Sequence, residues 1–513
     1  KRETKSRKLF FFQSAECRAT VFKTVFYTLI LSHTRTHILS NNYRQVQTDM
    51  RLVMKFGGTS VGDIDAIRKV VAIIKESRDA GNEIAVVVSA MTRVTDQIIA
   101  EAERIVTCTD RKVLDTFMAD LRTRHITTLE AVAPDYIDEV TKHIDIRLER
   151  LKNILVAVHN LRELTPRSRD YIISFGEKLS APIVSAALRQ IGIPSFQISG
   201  CDAGILTDGV HGNATALHES YARIAERIGS RMGDEVPVIQ GFAGCSKEGA
   251  VTTLGRSGSD YSGAIIGAGV DADEIIIWTD VDGVMTTDPR MISEARVIDS
   301  ISFIEMMEMS YFGAKVIHSR ALIPAMEKDI PVYVRNTFNP THPGTLVSRQ
   351  THTDERIVKA VSLIKNSCLI SVSGFTTGRP GVAGEIFSAL ADADVNVMLI
   401  SQGSSELNIS MIITEDQMDQ AEKALAAISE RGLIRRYTFT TNVQVVSVVG
   451  AGMRGTPGTI ARIFKSLGEK HINVLMLSQG SSELNISFVV NEEDGVKAVR
   501  AIHEEYHLDK ETE

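Results

Sequence analysis

The sequence predicts an α/β protein on a mainly parallel sheet, followed by two small α+β modules. Three observations carry this. Short apolar runs at 52–56, 84–89, 236–242, 275–280 and 331–335 alternate with stretches of helical periodicity, the order that strand–helix–strand units with parallel strands produce. The first run ends in Gly57-Gly58-Thr59-Ser60, a turn that opens a helix. Near the end, the decapeptide SQGSSELNIS occurs twice, at 401–410 and 478–487, an offset of 77.

The elements follow in order. Residues 52–56 (LVMKF) read as a buried strand, and the helix after the glycine turn carries Ile64, Ile67, Val71 and Ile74 on one stripe. Residues 84–89 (IAVVVS) form the next strand. Residues 97–165 are charged and helical, an inserted helical layer. Phe175-Gly176-Glu177-Lys178 opens a further helix, and the strands at 236–242, 275–280 and 331–335 complete the sheet. A Pro-rich turn at 337–344 (TFNPTHPG) suggests a domain boundary. The repeat offset also aligns Pro380-Gly381 with Pro457-Gly458, Phe387 with Phe464, Leu390 with Leu467 and Asn396 with Asn473. Two copies are too few for a solenoid, so two α+β modules packed face to face are expected. The domains are therefore 50–345, 357–435 and 443–513.

The chain has 513 residues, with 57 Lys/Arg against 64 Asp/Glu and 43% hydrophobic residues. That is enough for about three domains and excludes a wholly disordered or collagen-like chain. The net charge of −7 argues against nucleic acid as partner. Residues 1–49 differ. They hold nine Lys/Arg and three Asp/Glu, a net of +6, so the remainder carries −13. No run there reaches the roughly 20 apolar residues of a membrane span. This segment is read as an extension without a folded role, in a cytoplasmic protein, with organellar targeting as the alternative. Cys17, Cys108, Cys201, Cys245 and Cys368 are odd in number and form no C-x-x-C pair, which predicts reduced thiols and neither disulfide nor zinc framework.

Ligands of such sheets bind beyond the carboxyl ends of the strands, so the residues after each strand are the candidates. Lys55 followed by Gly57 and Gly58 offers a point charge and approachable amides to a phosphate; an ordinary glycine turn with a snorkelling lysine is the plain alternative. Gly255-Arg256-Ser257-Gly258-Ser259-Asp260 presents a guanidinium fork suited to carboxylate or phosphate, or is simply a structural loop. The acids of 278–290 (WTDVDGVMTTDPR) suggest a nucleotide or Mg²⁺ neighbourhood, or a solvated turn. Glu177 in a first helical turn is explained by the macrodipole alone. Lys315, in FGAKVIH, reads equally as a solvated helix residue.

In this order, KFGGTSVG, FGEKLSA, GRSGSDY, WTDVDGVMTTDPR and FGAKVIH resemble the aspartate kinases of the amino-acid-kinase family, over essentially all of residues 50–513. The resemblance implies a three-layer αβα kinase domain followed by two ferredoxin-like ACT modules, and the transfer of a phosphoryl group from ATP, with Mg²⁺, to aspartate. It implies Lys55 at the transferring phosphoryl group, Asp260 organising that lysine, and Thr95, Glu177, Arg256 and Ser259 at the aspartate. Gly57, Gly58, Thr279, Asp280, Arg290 and Lys315 would serve ATP, as would the backbone of Met285, where many relatives have Tyr. Gln402 and Gln479 fall where threonine-responsive relatives carry SQ-x-SSE, so threonine is the expected effector and lysine the second. Asn396, Asn408, Asn473 and Asn485 join them as effector-site candidates, and a homodimer or homotetramer through the modules is expected. No membrane partner is expected. A superfamily member acting on glutamate, acetylglutamate or UMP, a non-catalytic amino-acid sensor, and a fragment of a bifunctional kinase–homoserine dehydrogenase are the competing readings. No G-x-G-x-x-G unit follows the second repeat, which favours a monofunctional enzyme.

Overall fold

The computed structural model describes residues 50–108, 112–312, 317–349, 356–374, 381–403 and 408–510. The extension at 1–49, Lys315 and Pro380 lie outside the described residues.

The first part runs β1 (Arg51–Phe56), α1 (Ile64–Asp79), β2 (Glu83–Val88), α2 (Val94–Thr107), α3 (Lys112–Val132), α4 (Ile137–Leu161), α5 (Pro166–Ile173), α6 (Phe175–Gln190), β3 (Ser195–Ser199), α7 (Gly200–Ala203), β4 (Leu206–Thr207), α8 (Glu219–Arg227), β5 (Val236–Gln240), β6 (Ala243–Ser246), β7 (Val251–Thr253), α9 (Gly258–Gly269), β8 (Glu274–Thr279), β9 (Ser300–Ser302), α10 (Phe303–Tyr311), α11 (Ser319–Lys328), β10 (Val332–Asn336) and β11 (Thr345–Ser348). Eight strands form one sheet in the order β3-β5-β2-β1-β8-β10-β11-β9. Its pairs are parallel except for the antiparallel pair β10–β11. The sheet is buried on both faces, and its strands accordingly read as continuous apolar runs. One face packs Leu52, Met54 and Phe56 with α1 to α6. The other packs Val53, Ala85, Val87 and Ile277 with α8, α9 and α11. This is the expected three-layer arrangement.

Two expectations are corrected here. The turn at 337–344 is not a boundary. It returns the chain from β10 into β11, which stays in the eight-stranded sheet. The thiols are not all reduced, because Cys201 on α7 and Cys245 on β6 are disulfide-bonded, with Cα atoms 5.1 Å apart. They stand 44 residues apart in the chain. Only the fold, which lays β6 beside β4 after the α7 turn, brings them within bonding geometry.

The C-terminal part adds β12 (Ala360–Ser373), α12 (Val382–Asp392), β13 (Leu399–Gln402), β14 (Asn408–Thr414), α13 (Met418–Glu430), β15 (Arg436–Val449), α14 (Thr459–Glu469), β16 (Met476–Gln479), β17 (Asn485–Asn491) and α15 (Glu492–Glu505). The six strands form one antiparallel sheet, β13-β14-β12-β15-β17-β16. The long strands β12 and β15 each serve both modules. Residues 360–364 pair with 445–449, and after an irregularity 367–373 pair with 436–443. Val358 and Val361 therefore enter the second module's core with Val446 and Phe488, whereas Cys368 and Ile370 enter the first. The modules interlock instead of following one another along the chain. A shared layer of Leu369, Leu399, Ile412, Val445, Met476 and Val489 lies between them, which is the expected face-to-face contact. Helices α12 and α14 are preceded by the cap residues Gly381 and Gly458, at φ 94° and 87°, a backbone that glycine tolerates. Pro457 stands before the cap, outside the first helical turn.

Candidate active site

Alternation along β1 decides where Lys55 points. It shares its face with Val53, the face that α9 covers. Its stem lies against Gly263, where an added Cβ would come within 3.2 Å of Lys55 Cβ. One turn earlier on α9, Asp260 forms an ion pair with Lys55 Nζ, and both residues are buried. A buried pair needs further polar partners, and a cavity of about 480 Å³ opens beside it.

That cavity joins Lys55, Gly58, Thr95, Glu177, Arg256, Ser259 and Asp260, residues from four segments that lie far apart in the sequence. The ends of β1 and β2 supply its floor. Glu177, in the first turn of α6, reaches the end of β2, where its Oε1 accepts from Ala90 N at 3.1 Å. Ser180 Oγ, a turn further, donates to Ser89 O at 2.8 Å. Glu177 Oε2 is buried, and nothing among the described residues bonds it. Burial pushes the Glu177 carboxyl up to about 8, with the Ala90 amide and the Lys178 and Lys55 charges pulling the other way. Thr95, at the start of α2, packs against Gly176, whose added Cβ would stand 3.1 Å from Thr95 Oγ1. Arg256 sits on the turn before α9. Its positive charge, after burial, lowers the pKa of nearby His318.

Among the described residues, the other expected nucleotide residues Gly57, Thr279, Asp280, Met285 and Arg290 are not brought to this cavity. Gly57 N donates to Trp278 O at 3.0 Å, so that amide is committed to the sheet end and is not offered to a phosphate. Thr279 Oγ1 donates to Asp280 Oδ1 at 3.2 Å, and Thr337 N donates to Thr279 O. Met285 bridges Val297. Arg290 is exposed and pairs with Asp288 at 2.7 Å. Sequence reasoning missed Arg93, Arg169, Gly212, Phe242 and Thr253, all of which line the cavity. Arg169 stands eight residues before Glu177, and no motif marks it.

Of the effector candidates, Gln479 lines a second cavity of about 830 Å³ at the start of α14, with Thr456, Gly458, Thr459 and Glu483. Asn485 is buried and committed elsewhere. Its Nδ2 donates to Glu308 Oε2 at 3.0 Å, and its Oδ1 accepts from Ser447 and Ser487. Gln402, Asn396, Asn408 and Asn473 are exposed.

Residues 50–336, the three-layer domain that carries the Lys55–Asp260 pair, match the amino acid kinase family, and the chain belongs to that family. Residues 370–428 and 446–506 match the ACT domain. Within the family it falls with the aspartokinases. It is 35% identical over 477 residues to the chloroplastic bifunctional aspartokinase/homoserine dehydrogenase 1 of Zea mays, covering 90% of this chain and 51% of the relative. It is 32% identical to chloroplastic aspartokinase 3 of Arabidopsis thaliana, covering 90% of this chain and 83% of that protein. The chain thus spans about half the length of the bifunctional relatives it matches. Among solved structures, E. coli aspartokinase III in complex with aspartate and ADP (R-state) superposes with a TM-score of 0.75 at 29% identity, over 89% of this chain and 99% of that one. The same enzyme in complex with lysine and aspartate (T-state) gives 0.73.

Proposed function

We propose that the chain is an aspartate kinase, transferring the γ-phosphoryl group of ATP to the β-carboxylate of L-aspartate to give 4-phospho-L-aspartate, the first step of the lysine, threonine and methionine branch. The observation that carries this is the Lys55–Asp260 pair opening onto one cavity with both Arg256 and Glu177. An aspartate side chain is ionised at neutral pH, so the reaction needs no general base. The obstacle is repulsion between a carboxylate and a polyphosphate. Lys55, held by Asp260, supplies positive charge where the two anions meet. Arg256 takes a carboxylate through its fork. Glu177 Oε2, buried with no donor among the described residues, takes the α-ammonium, while Thr95 and Ser259 close the pocket.

The described residues hold no group of three or more His, Cys, Asp or Glu able to cage a metal ion. Mg²⁺ would arrive on the phosphates of the nucleotide substrate, as that ion usually does. Thr279, Asp280, the Met285 backbone, Arg290 and Lys315 remain the candidates for the nucleotide side.

For regulation we read threonine as effector and lysine as second, acting through the modules that hold Gln402 and Gln479. Support comes from the cavity at Gln479, and for lysine from the solved E. coli complex. Homodimers or homotetramers would form through the same modules. No helix among the described residues is long and apolar enough to cross a membrane. A cytoplasmic site is proposed, with an organelle as the alternative, given that the plant relatives are named chloroplastic.

An ADP-release assay with aspartate, glutamate and UMP tests the central reading. Turnover with aspartate alone is expected, and turnover only with another acceptor overturns it. Millimolar threonine should inhibit; inhibition by lysine alone reverses the effector assignment.

A further inference from the structure

The carboxylate of Asp170 on α5 is fully buried. Three donors converge on it. Gly212 N reaches both oxygens, at 3.1 and 3.0 Å, His211 Nδ1 lies 2.7 Å from Oδ2, and the Thr253 hydroxyl donates to Oδ1. These donors come from two segments that are distant in sequence, and both run directly into the cavity wall. Gly212 and Thr253 line the cavity themselves, as does Arg169 beside Asp170.

Thr253 leads directly into the turn that carries Arg256. Ala214 N donates to Thr253 O at 2.9 Å, locking the two segments together. Gly255 then passes so close to Asn213 that an added Cβ would stand 2.7 Å from Asn213 Oδ1. Ser257 is held at φ 52°, a left-handed conformation that a serine keeps only when its surroundings impose it. From outside, Arg320 donates to Thr215 Oγ1 at 2.8 Å and also bonds Asn213 and Ala214. One buried carboxylate thus fixes both the strand entering the Arg256 turn and the loop against which that turn is pressed.

We propose that Asp170 is a positioning residue for the phosphoryl acceptor: by gathering Gly212, His211 and Thr253 it sets where the Arg256 guanidinium meets the acceptor's carboxylate, without touching the acceptor itself. The proposal rests on the acceptor reading of the cavity given above. An ionised carboxylate accepts at every lone pair, whereas an amide turns two donors toward the donors already present. Asp170→Asn therefore keeps the shape and breaks the convergence.

The test uses the full chain. Asp170→Asn is expected to raise the aspartate KM about tenfold or more, since small displacements of a positioning group are costly, while the ATP KM stays within about twofold. Thr253→Val, which removes one donor at nearly constant volume, is expected to move the aspartate KM in the same direction by less. Hydrogen–deuterium exchange without substrate should rise in residues 208–215 and 253–259 of both variants and stay unchanged in β1 and β2. The exchange result reads the positioning network even if the wild-type chain turns over a different acceptor, so the two readings fail separately. Unchanged aspartate KM and unchanged exchange overturn the proposal. So does an equal loss in both substrates with a general fall in protection, which marks a merely structural residue. Should Asp170→Asn fail to fold, Thr253→Val alone decides by the same criteria.

Discussion

Glu177 offers the sharpest test of the acceptor site, because its burial makes substrate affinity depend on pH. With its pKa pushed up to about 8, about one site in ten is ionised at pH 7 and about three in four at pH 8.5. Ionising the empty site at pH 7 costs about 1.4 kcal/mol. A bound α-ammonium selects the ionised form, and the apparent affinity is reduced by the fraction that is competent. The aspartate KM should therefore fall about eightfold between pH 7 and 8.5 at saturating ATP, with the substrate ammonium still charged over that window. The stability effect has the opposite direction. The folded pKa lies above the ordinary carboxylate value, so this group's contribution is fully present below about pH 4.5 and is lost as pH rises toward 8. Aspartate should consequently raise Tm more at pH 8.5 than at pH 7. Glu177→Gln removes the titration. Its KM should be raised by about tenfold or more and stay flat from pH 6.5 to 8.5, with kcat little changed. A wild-type KM that is flat over this range, or a Gln variant with unaltered KM, refutes the assignment of Glu177 to the ammonium.

Three further outcomes are expected. Lys55→Ala should lower kcat about 100- to 1,000-fold with a modest change in aspartate KM, and near-normal turnover would remove Lys55 from the reaction. Gly263→Ala should keep or slightly raise Tm, because alanine is the better helix former by about 0.5–1 kcal/mol. The added Cβ presses on the Lys55 stem, so kcat should drop several-fold, and an unchanged kcat would show that the stem has room to yield. His125 is fully buried, with Nδ1 donating to Leu121 O at 2.7 Å and Nε2 without a partner among the described residues. Burial lowers its pKa to about 4, so its contribution is present above about pH 6.5 and is lost as pH falls toward 4, amounting to about 2 kcal/mol at pH 5. Urea midpoints at pH 7 and 5 should converge for His125→Leu relative to wild type; equal pH dependence in both would place the acid sensitivity elsewhere.

The central strands were legible because a parallel sheet covered on both faces leaves uninterrupted apolar runs, and β1, β2, β5, β8 and β10 fall within a residue or two of 52–56, 84–89, 236–242, 275–280 and 331–335. The small sheet β4-β6-β7 was not, since strands of two to four residues with Gly and Ser carry no period to detect. The motif residues Lys55, Glu177, Arg256 and Asp260 were found as separate turns, and the structure gathers them. Their supports were not found. Asp170 matters through three donors at sequence distances of 41, 42 and 83, and no local pattern encodes such convergence. Gly57 shows the reverse error. A glycine two residues after a lysine reads as part of a phosphate cradle, yet its amide closes onto Trp278 from a strand that sequence cannot align.

The repeated decapeptide shows how far identical sequence is from identical role. Asn485 and Asn408 occupy the same place in SQGSSELNIS, and on sequence alone both are effector ligands. In the first copy Asn408 is exposed. In the second, Asn485 is buried and bonded to Glu308 of α10, a helix of the kinase domain. The same helix supplies Glu305, fully buried, which caps its own N-terminus through Ser302, accepts from Ala451 N and pairs with Lys359 at 3.4 Å. Thr286 Oγ1, 3.1 Å from His503 Nε2, adds a fourth contact, this one from the kinase domain to α15. These partners all belong to the second module or, for Lys359, lead into the β12 segment that shares its core. A ligand shifts an equilibrium only through contacts that differ between two states. Binding at Gln479 lies in the module wired to α10, whereas binding at Gln402 must first alter the shared layer of Leu369, Leu399, Met476 and Val489. The asymmetry arises outside the repeat, in the kinase residues Thr286, Glu305 and Glu308, whose bonds to the modules among the described residues run to one copy, while Phe312 packs into the shared layer.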